Sequence, residues 1–227
     1  AGAVNQGDLH LFGGVAEFTA ALDNEAGAFI AGHGTLIAAN VVNQGVMAFS
    51  GGGANLFGDI DNQGTGRIIT SGGGTTTIVD DLVHNGTEIR TSAGARTVIL
   101  GAASGSGSYT GSGTVHFEGD LRPGNSPGYV NIAGDAVFGV ALDSLFEIGG
   151  YDRGELAGAP PDGYDAVDVG GALDIMGGTM DVVLYDGFVP QAGDVFHLIS
   201  AALISGSFFE INLPTVSGLS LALLNDG

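Results

Sequence analysis

Asn5, Asn24, Asn43 and Asn62 stand 19 residues apart. No other feature of the chain narrows its fold as far, because a fixed interval means one small unit copied in series. Three of the four open the same triplet: Asn5-Gln6-Gly7, Asn43-Gln44-Gly45 and Asn62-Gln63-Gly64. The second copy reads Asn24-Glu25-Ala26-Gly27. Six residues after each asparagine come Leu11, Ile30, Phe49 and Ile68, and seventeen after come Leu22, Val41, Ile60 and Val79. Thirteen after come Phe18, Ile37 and Leu56, with Thr75 breaking that column. The period slips by four through Asp81-Leu82-Val83-His84, resumes at Asn85-Gly86 and reaches Phe117 and Leu121, about six turns in all.

A unit this short excludes the helical repeats, which need over ~30 residues each. Helix formers are scarce as well: 43 of 227 residues are glycine and none is lysine. Apolar residues fall in short alternating runs, Leu9-His10-Leu11 and Met47-Ala48-Phe49, between Gly51-Gly52-Gly53 and Gly72-Gly73-Gly74. Period-two runs punctuated by glycine are strands and tight corners. The repeat therefore predicts an all-β chain: a β-solenoid, or parallel β-helix, of about 19 residues per turn. In-register stacking turns each column into a ladder with about 4.8 Å per rung, so six turns make a rod of roughly 29 Å. Leu11, Ile30, Phe49 and Ile68 are expected to form an internal apolar ladder. Asn5, Asn24, Asn43 and Asn62 are expected to stack at a corner, each amide bonding the next. A rod built this way presents unpaired strand edges at its ends.

The rhythm is lost after Leu121-Arg122-Pro123-Gly124-Asn125-Ser126-Pro127-Gly128, where two prolines and two glycines mark a hard turn. Residues 1–128 are read as the rod, and residues 129–227 as a β-rich C-terminal cap or sandwich. Charge divides the same way: net −7 over 1–129 and −13 over 130–227. Short strands are expected at 129–132, 136–138, 144–148, 166–169, 172–175, 180–185, 195–199, 207–211 and 219–224. Gly149–Gly163, with Pro160 and Pro161, reads as a surface loop.

Composition limits the partners. The net charge is −20, from 25 acids against five arginines. Such a chain repels phosphate backbones and anionic membranes, which argues against nucleic acid. Divalent cations, or surfaces coated with them, suit it better. There is no cysteine, so disulfides and thiolate chemistry are excluded. No apolar run is long enough for a transmembrane helix. No basic segment with an apolar stretch opens the sequence, so a secreted chain would already have lost its signal peptide.

The element Leu121–Gly128 resembles the L-x-PGNSPG motif of autotransporter passenger domains and related bacterial surface proteins. Tyr164-Asp165-Ala166-Val167-Asp168-Val169 and Gly171–Val182 are similar to the YD-x-L-x-V-x-G-x-A-x-L-x-G-T-L-x-V stretch that follows it. Phe188–Phe196 is similar to F-x-P-x-x-G-D-x-F, and Ile204-Ser205-Gly206-Ser207-Phe208 to ISG-x-F. The resemblance covers most of the chain. It implies a secreted or surface-displayed β-solenoid and says little about activity. No translocator barrel lies within the 227 residues, so it does not imply how such a protein would be attached.

Among candidate chemistries, calcium comes first. Asp23, Asp61 and Asp80 share the place eighteen after the asparagine, with Val42 interrupting, and Asp59 stands beside them. Carboxylates on neighbouring rungs repel unless a hard cation neutralises them. Asp162, Asp165 and Asp168 make a second cluster. A solvated carboxylate ladder is the plainer reading of both, since the Gly-Gly-x-Gly-x-Asp calcium repeat is absent. Polysaccharide cleavage would need a base beside a bound cation, or paired acids in a groove. His10, Arg67 and Arg90 fall five after an asparagine, but no dense acid cluster accompanies them. The five histidines are scattered, Thr75-Thr76-Thr77 has no threonine counterparts in turns two and three, and the glycine triplets lack the Lys-Ser/Thr of a phosphate loop. The leading expectation is a non-enzymatic extracellular structural protein that associates with itself head to tail through its strand edges. An adhesin that binds glycans or a surface is the alternative, with Tyr109 and Tyr129 as scattered candidate platforms. A polysaccharide lyase is third.

Overall fold

The structure, a computed structural model, describes residues 2–124, 128–154 and 163–224. It is all-β: the described chain coils into a β-solenoid of parallel, stacked strands with no helix. Each coil contributes a strand to each of three faces. The first coil runs through Ala3–Asn5 and then Asp8–Glu17, a long strand that bends at Gly13-Gly14 to serve two faces. Phe29–Asn43 and Val46–Gln63 bend twice and pass through all three faces without leaving the sheet. Later coils break cleanly at their corners: Arg67–Thr70 and Thr75–Ile78, then Leu82–Asn85, Glu88–Thr91 and Arg96–Ile99. Gly32 marks one bend. Its φ is +112°, and a Cβ there would run into the Leu11 carbonyl of the coil beneath. Only glycine supplies both the dihedral and the clearance.

The interior is a set of one-residue-wide ladders. On the first face Ala3, Leu22, Val41, Ile60, Leu82, Ala103 and Leu121 stack in sequence. On the third, Leu36, Leu56, Ile78, Ile99, Phe117 and Phe138 do the same, and all are buried.

One expected ladder divides in two. Leu11, Ile30, Phe49 and Ile68 are all interior, but Ile30 and Ile68 stack with Leu9 and Met47, whereas Leu11 and Phe49 stack with Gly32 and Thr70. The cause is corner length. The second face begins three residues after Asn5 and Asn43, at Asp8 and Val46, but five after Asn24 and Asn62, at Phe29 and Arg67. A two-residue change preserves the inside–outside alternation of a strand while moving the column by one position.

A second difference concerns the C-terminal region. Parallel stacking does not stop at residue 128. Thr114–Phe117 pairs with Asp135–Phe138, which pairs with Ala166–Ile175, which pairs with Ile199–Gly206. On the first face Asp143–Ile148 pairs with Thr179–Leu184, and that strand with Glu210–Asn212. What replaces the rhythm is excursion length. The corner after Ile148 runs on to Tyr164 and that after Leu184 to Ile199, so coils remain while the period vanishes. The expected strands at 195–199 and 219–224 are absent, apart from Ile199 itself. Asn125–Pro127, Pro160 and Pro161 lie outside the described residues. No described helix is long and apolar enough to cross a membrane.

Candidate functional site

The asparagines form a continuous side-chain spine at the corner between the first and second faces. Asn5 Nδ2 donates to Asn24 Oδ1 at 2.8 Å, Asn24 to Asn43 at 2.7 Å, and Asn43 to Asn62 at 2.7 Å. Asn24, Asn43 and Asn62 are buried. Second amide hydrogens serve the corner itself: Asn5 donates to the Phe29 carbonyl at 2.9 Å and Asn43 to the Arg67 carbonyl at 3.2 Å. The spine ends on a residue the periodicity did not single out. Asn62 Nδ2 donates to His84 Nδ1 at 3.0 Å, and His84 Nε2 lies 3.1 Å from the Ser108 carbonyl. An amide nitrogen only donates and a carbonyl only accepts, so these neighbours fix His84 as the neutral Nε2–H tautomer. Burial lowers the imidazole pKa below its usual 6.5.

A second internal polar cluster is made of threonines. Thr70 Oγ1 meets Thr76 Oγ1 at 2.8 Å and Thr97 Oγ1 at 3.0 Å, and Thr91 meets Thr97 at 2.7 Å. All four are buried, so Thr76 serves the core rather than an outer threonine surface.

The aspartates proposed as cation ligands do not converge. Asp23 and Asp61 share an outward column, with Val42 between them, and the next residue of that column is Val83. Residues 79–81 make the corner longer and carry Asp80 out of the column. Its carboxylate accepts from Gly58 N at 2.7 Å. Asp59 accepts from Asp81 N at 3.3 Å, and Asp81 from Ala102 N at 2.9 Å. These acids staple corners of adjacent coils, a role that spacing alone does not reveal. Asp162 lies outside the described residues. Asp165 is buried, accepting from Gly128 N at 2.5 Å and Glu147 N at 2.8 Å; desolvation pushes its pKa up to about 7. Asp168 is held by Arg153 through both terminal guanidinium nitrogens and by Tyr129 and Ser200, and the arginine foremost lowers its pKa to about 2. Among the described residues no three histidine, aspartate or glutamate side chains are grouped to hold a metal ion. A surface hollow of about 240 Å³ is lined by Asp23, Asn24, Glu25, Val42 and Gln44.

His10 and Arg90 do share an outward column, but Arg67 belongs to the neighbouring one and pairs with Glu88. Tyr109 and Tyr129 are not surface platforms. Tyr109 is buried in a file of aromatic rings, His84, Tyr109, Phe117, Phe138 and Phe208, with centroids 5.3 to 6.2 Å apart. Tyr129 gives its hydroxyl to Asp168 and its ring face to Arg153. The exposed tyrosine among the described residues is Tyr151, stacked on Phe196 and edge-on to Phe188.

The ends of the coil carry the remaining chemistry. Among the described residues Asp8–Glu17 pairs only with Phe29–Asn43, and Ile199–Gly206 only with Ala166–Ile175. The outer edge of each is open. Ile199–Gly206 reads ISAALISG, with no charge and no proline. Large apolar side chains gather at both ends: Phe12 is 86% and Val15 66% exposed, Leu203 63% and Phe209 76%. Comparison with protein-family models, with curated proteins and with solved structures finds no match.

Proposed function

We propose that this chain is a non-enzymatic structural protein of the bacterial cell surface or extracellular matrix, which extends end to end by strand addition between copies. The open, uncharged edge strand Ile199–Gly206 carries the reading. Natural sheets protect such edges with charge, proline or a covering element, and an edge without them is an association site. A second copy is the occupant that fits. The edge needs a parallel partner, the open first coil of another copy offers one, and the uncharged strand spares a −20 protein a repulsive contact. Contacts of this heterologous kind do not close on themselves and build filaments. The carboxylates support a structural role, since Asp59, Asp80, Asp81, Asp165 and Asp168 are each engaged within the wall. The resemblance of Leu121–Gly128 and the segments after it to passenger domains supports surface display.

Electron microscopy and light scattering of the purified chain test the reading, with calcium and with chelator. Filaments many chains long are expected, and His10→Pro should abolish them while leaving a folded monomer, because the His10 N–H alternates with the Leu9 and Leu11 donors that bond Phe29–Asn43 and so faces the open edge. Discrete single-chain rods would contradict it. The alternative, a glycan-binding adhesin, has one observation in its favour: the exposed ring of Tyr151 backed by Phe196 and Phe188. It predicts monomers whose glycan binding is lost in Tyr151→Ala.

A further inference from the structure

We propose that His84 makes the seams on either side of its coil, toward Asn62 below and Ser108 above, a proton-operated lock, closed at neutral pH and opened by acid. The amide spine is polarised: every link from Asn5 to Asn62 donates in the C-terminal direction, and His84 Nδ1 is the last side-chain acceptor in the run. A proton on Nδ1 turns that acceptor into a donor and sets N–H against N–H across the 3.0 Å gap to Asn62.

Two routes of relief are blocked. Inverting the Asn62 amide would aim its oxygen at the Gly66 carbonyl, 3.4 Å from the present Nδ2, and would break the bond that Asn43 donates. Inversion would then have to pass down the spine, where the Arg67 and Phe29 carbonyls hold Asn43 and Asn5 in the same sense. Swinging the imidazole away is blocked by packing. The ring lies so close over Gly107 that a Cβ there would overlap it, and Tyr109 stands edge-on at 5.3 Å. Among the described residues no carboxylate bonds the ring to compensate the new charge. Asn62, Ser108 and Tyr109 are the groups that meet the ring from its neighbouring strands, and Tyr109, itself neutral because burial raises its pKa, is the titratable one among the described residues. The charge is relieved by parting the coils. The depressed imidazole pKa agrees with this geometry and places the opening below pH 6.5.

Hydrogen exchange read peptide by peptide at pH 7.5 and pH 4.5, corrected for intrinsic rates, tests the lock. Protection across 82–110 should fall at least tenfold in acid, the equivalent of about 1.4 kcal/mol. In His84→Asn, whose amide continues the spine without titrating, protection should hold. Imidazole ¹⁵N shifts of the unmodified chain at pH 7.5 should report a proton on Nε2. An equal fall in the variant, no fall in the unmodified chain, or a proton on Nδ1 would each overturn the proposal. Should His84→Asn not fold, His84→Gln takes its place, and the tautomer measurement stands regardless.

Discussion

The coils before residue 63 and those after residue 128 share one backbone architecture and are held together in different ways. In the early coils a single side-chain device is copied, with Asn5, Asn24, Asn43 and Asn62 each bonding the next. The later coils use links that occur once. Asp165 reaches across to Gly128 and Glu147, Arg153 grips Asp168, and Tyr151, Tyr164, Phe188 and Phe196 pack as a cluster beside the wall. Repeated structure therefore does not require repeated sequence. Parallel pairing and an apolar interior suffice, provided each corner finds some means of satisfying its backbone.

The contrast can be broken most severely at Asn43. Asn43→Val leaves an Asn24 donor and the Asn62 acceptor buried without partners, at about 1–3 kcal/mol each, so a loss of about 4 kcal/mol is expected. Thermal or urea unfolding checks it, and the exchange protection lost should centre on the early coils. Next comes Asp165→Ala, which strands two backbone donors in the later coils and should cost about 3 kcal/mol by the same accounting.

The pH dependence sharpens the comparison, because the end of the asparagine spine at His84 and the Asp165 corner of the later coils respond with opposite sign. The Asp165 pKa is raised from 3.8 to about 7, so its contribution is full below the unfolded value and is lost as pH rises from about 4 to about 7. The His84 pKa is lowered from 6.5, so its contribution is full above pH 6.5 and is lost as pH falls below it. Exchange at pH 5 and pH 7.5 should show the strands around His84 gaining protection with rising pH and the Asp165 corner losing it. Asp168, lowered to about 2, adds stability present above pH 3.8 and lost below, outside that interval.

Smaller effects follow at the ion pairs. Arg153→Met removes a two-nitrogen grip on a largely covered carboxylate and should cost about 2 kcal/mol. Arg67→Ala, where the arginine of the pair is 41% exposed, should cost under about 1 kcal/mol and less in high salt.

The solenoid and its asparagine corner are legible in the sequence because both follow from an interval, and an interval survives without coordinates. The split of the Leu11, Ile30, Phe49, Ile68 column is not legible, because Asn43-Gln44-Gly45 and Asn62-Gln63-Gly64 are identical triplets opening corners of different length. The continuation of the coils past residue 128 is hidden for a related reason: long excursions erase a period without interrupting the stack. The corner-stapling aspartates and the His84 terminus were hidden, since each depends on which backbone amide of the adjacent coil lies within reach. One hint at His84 was available, for it stands beside Asn85 where the period slips, at the place where a fifth asparagine would otherwise be expected.

The most direct test of the account is electron microscopy with diffraction on the concentrated protein. Head-to-tail strand addition predicts rods far longer than one chain, with a repeat of about 4.8 Å running along the rod axis. Rods of single-chain length, or a 4.8 Å repeat lying across the axis, would contradict it.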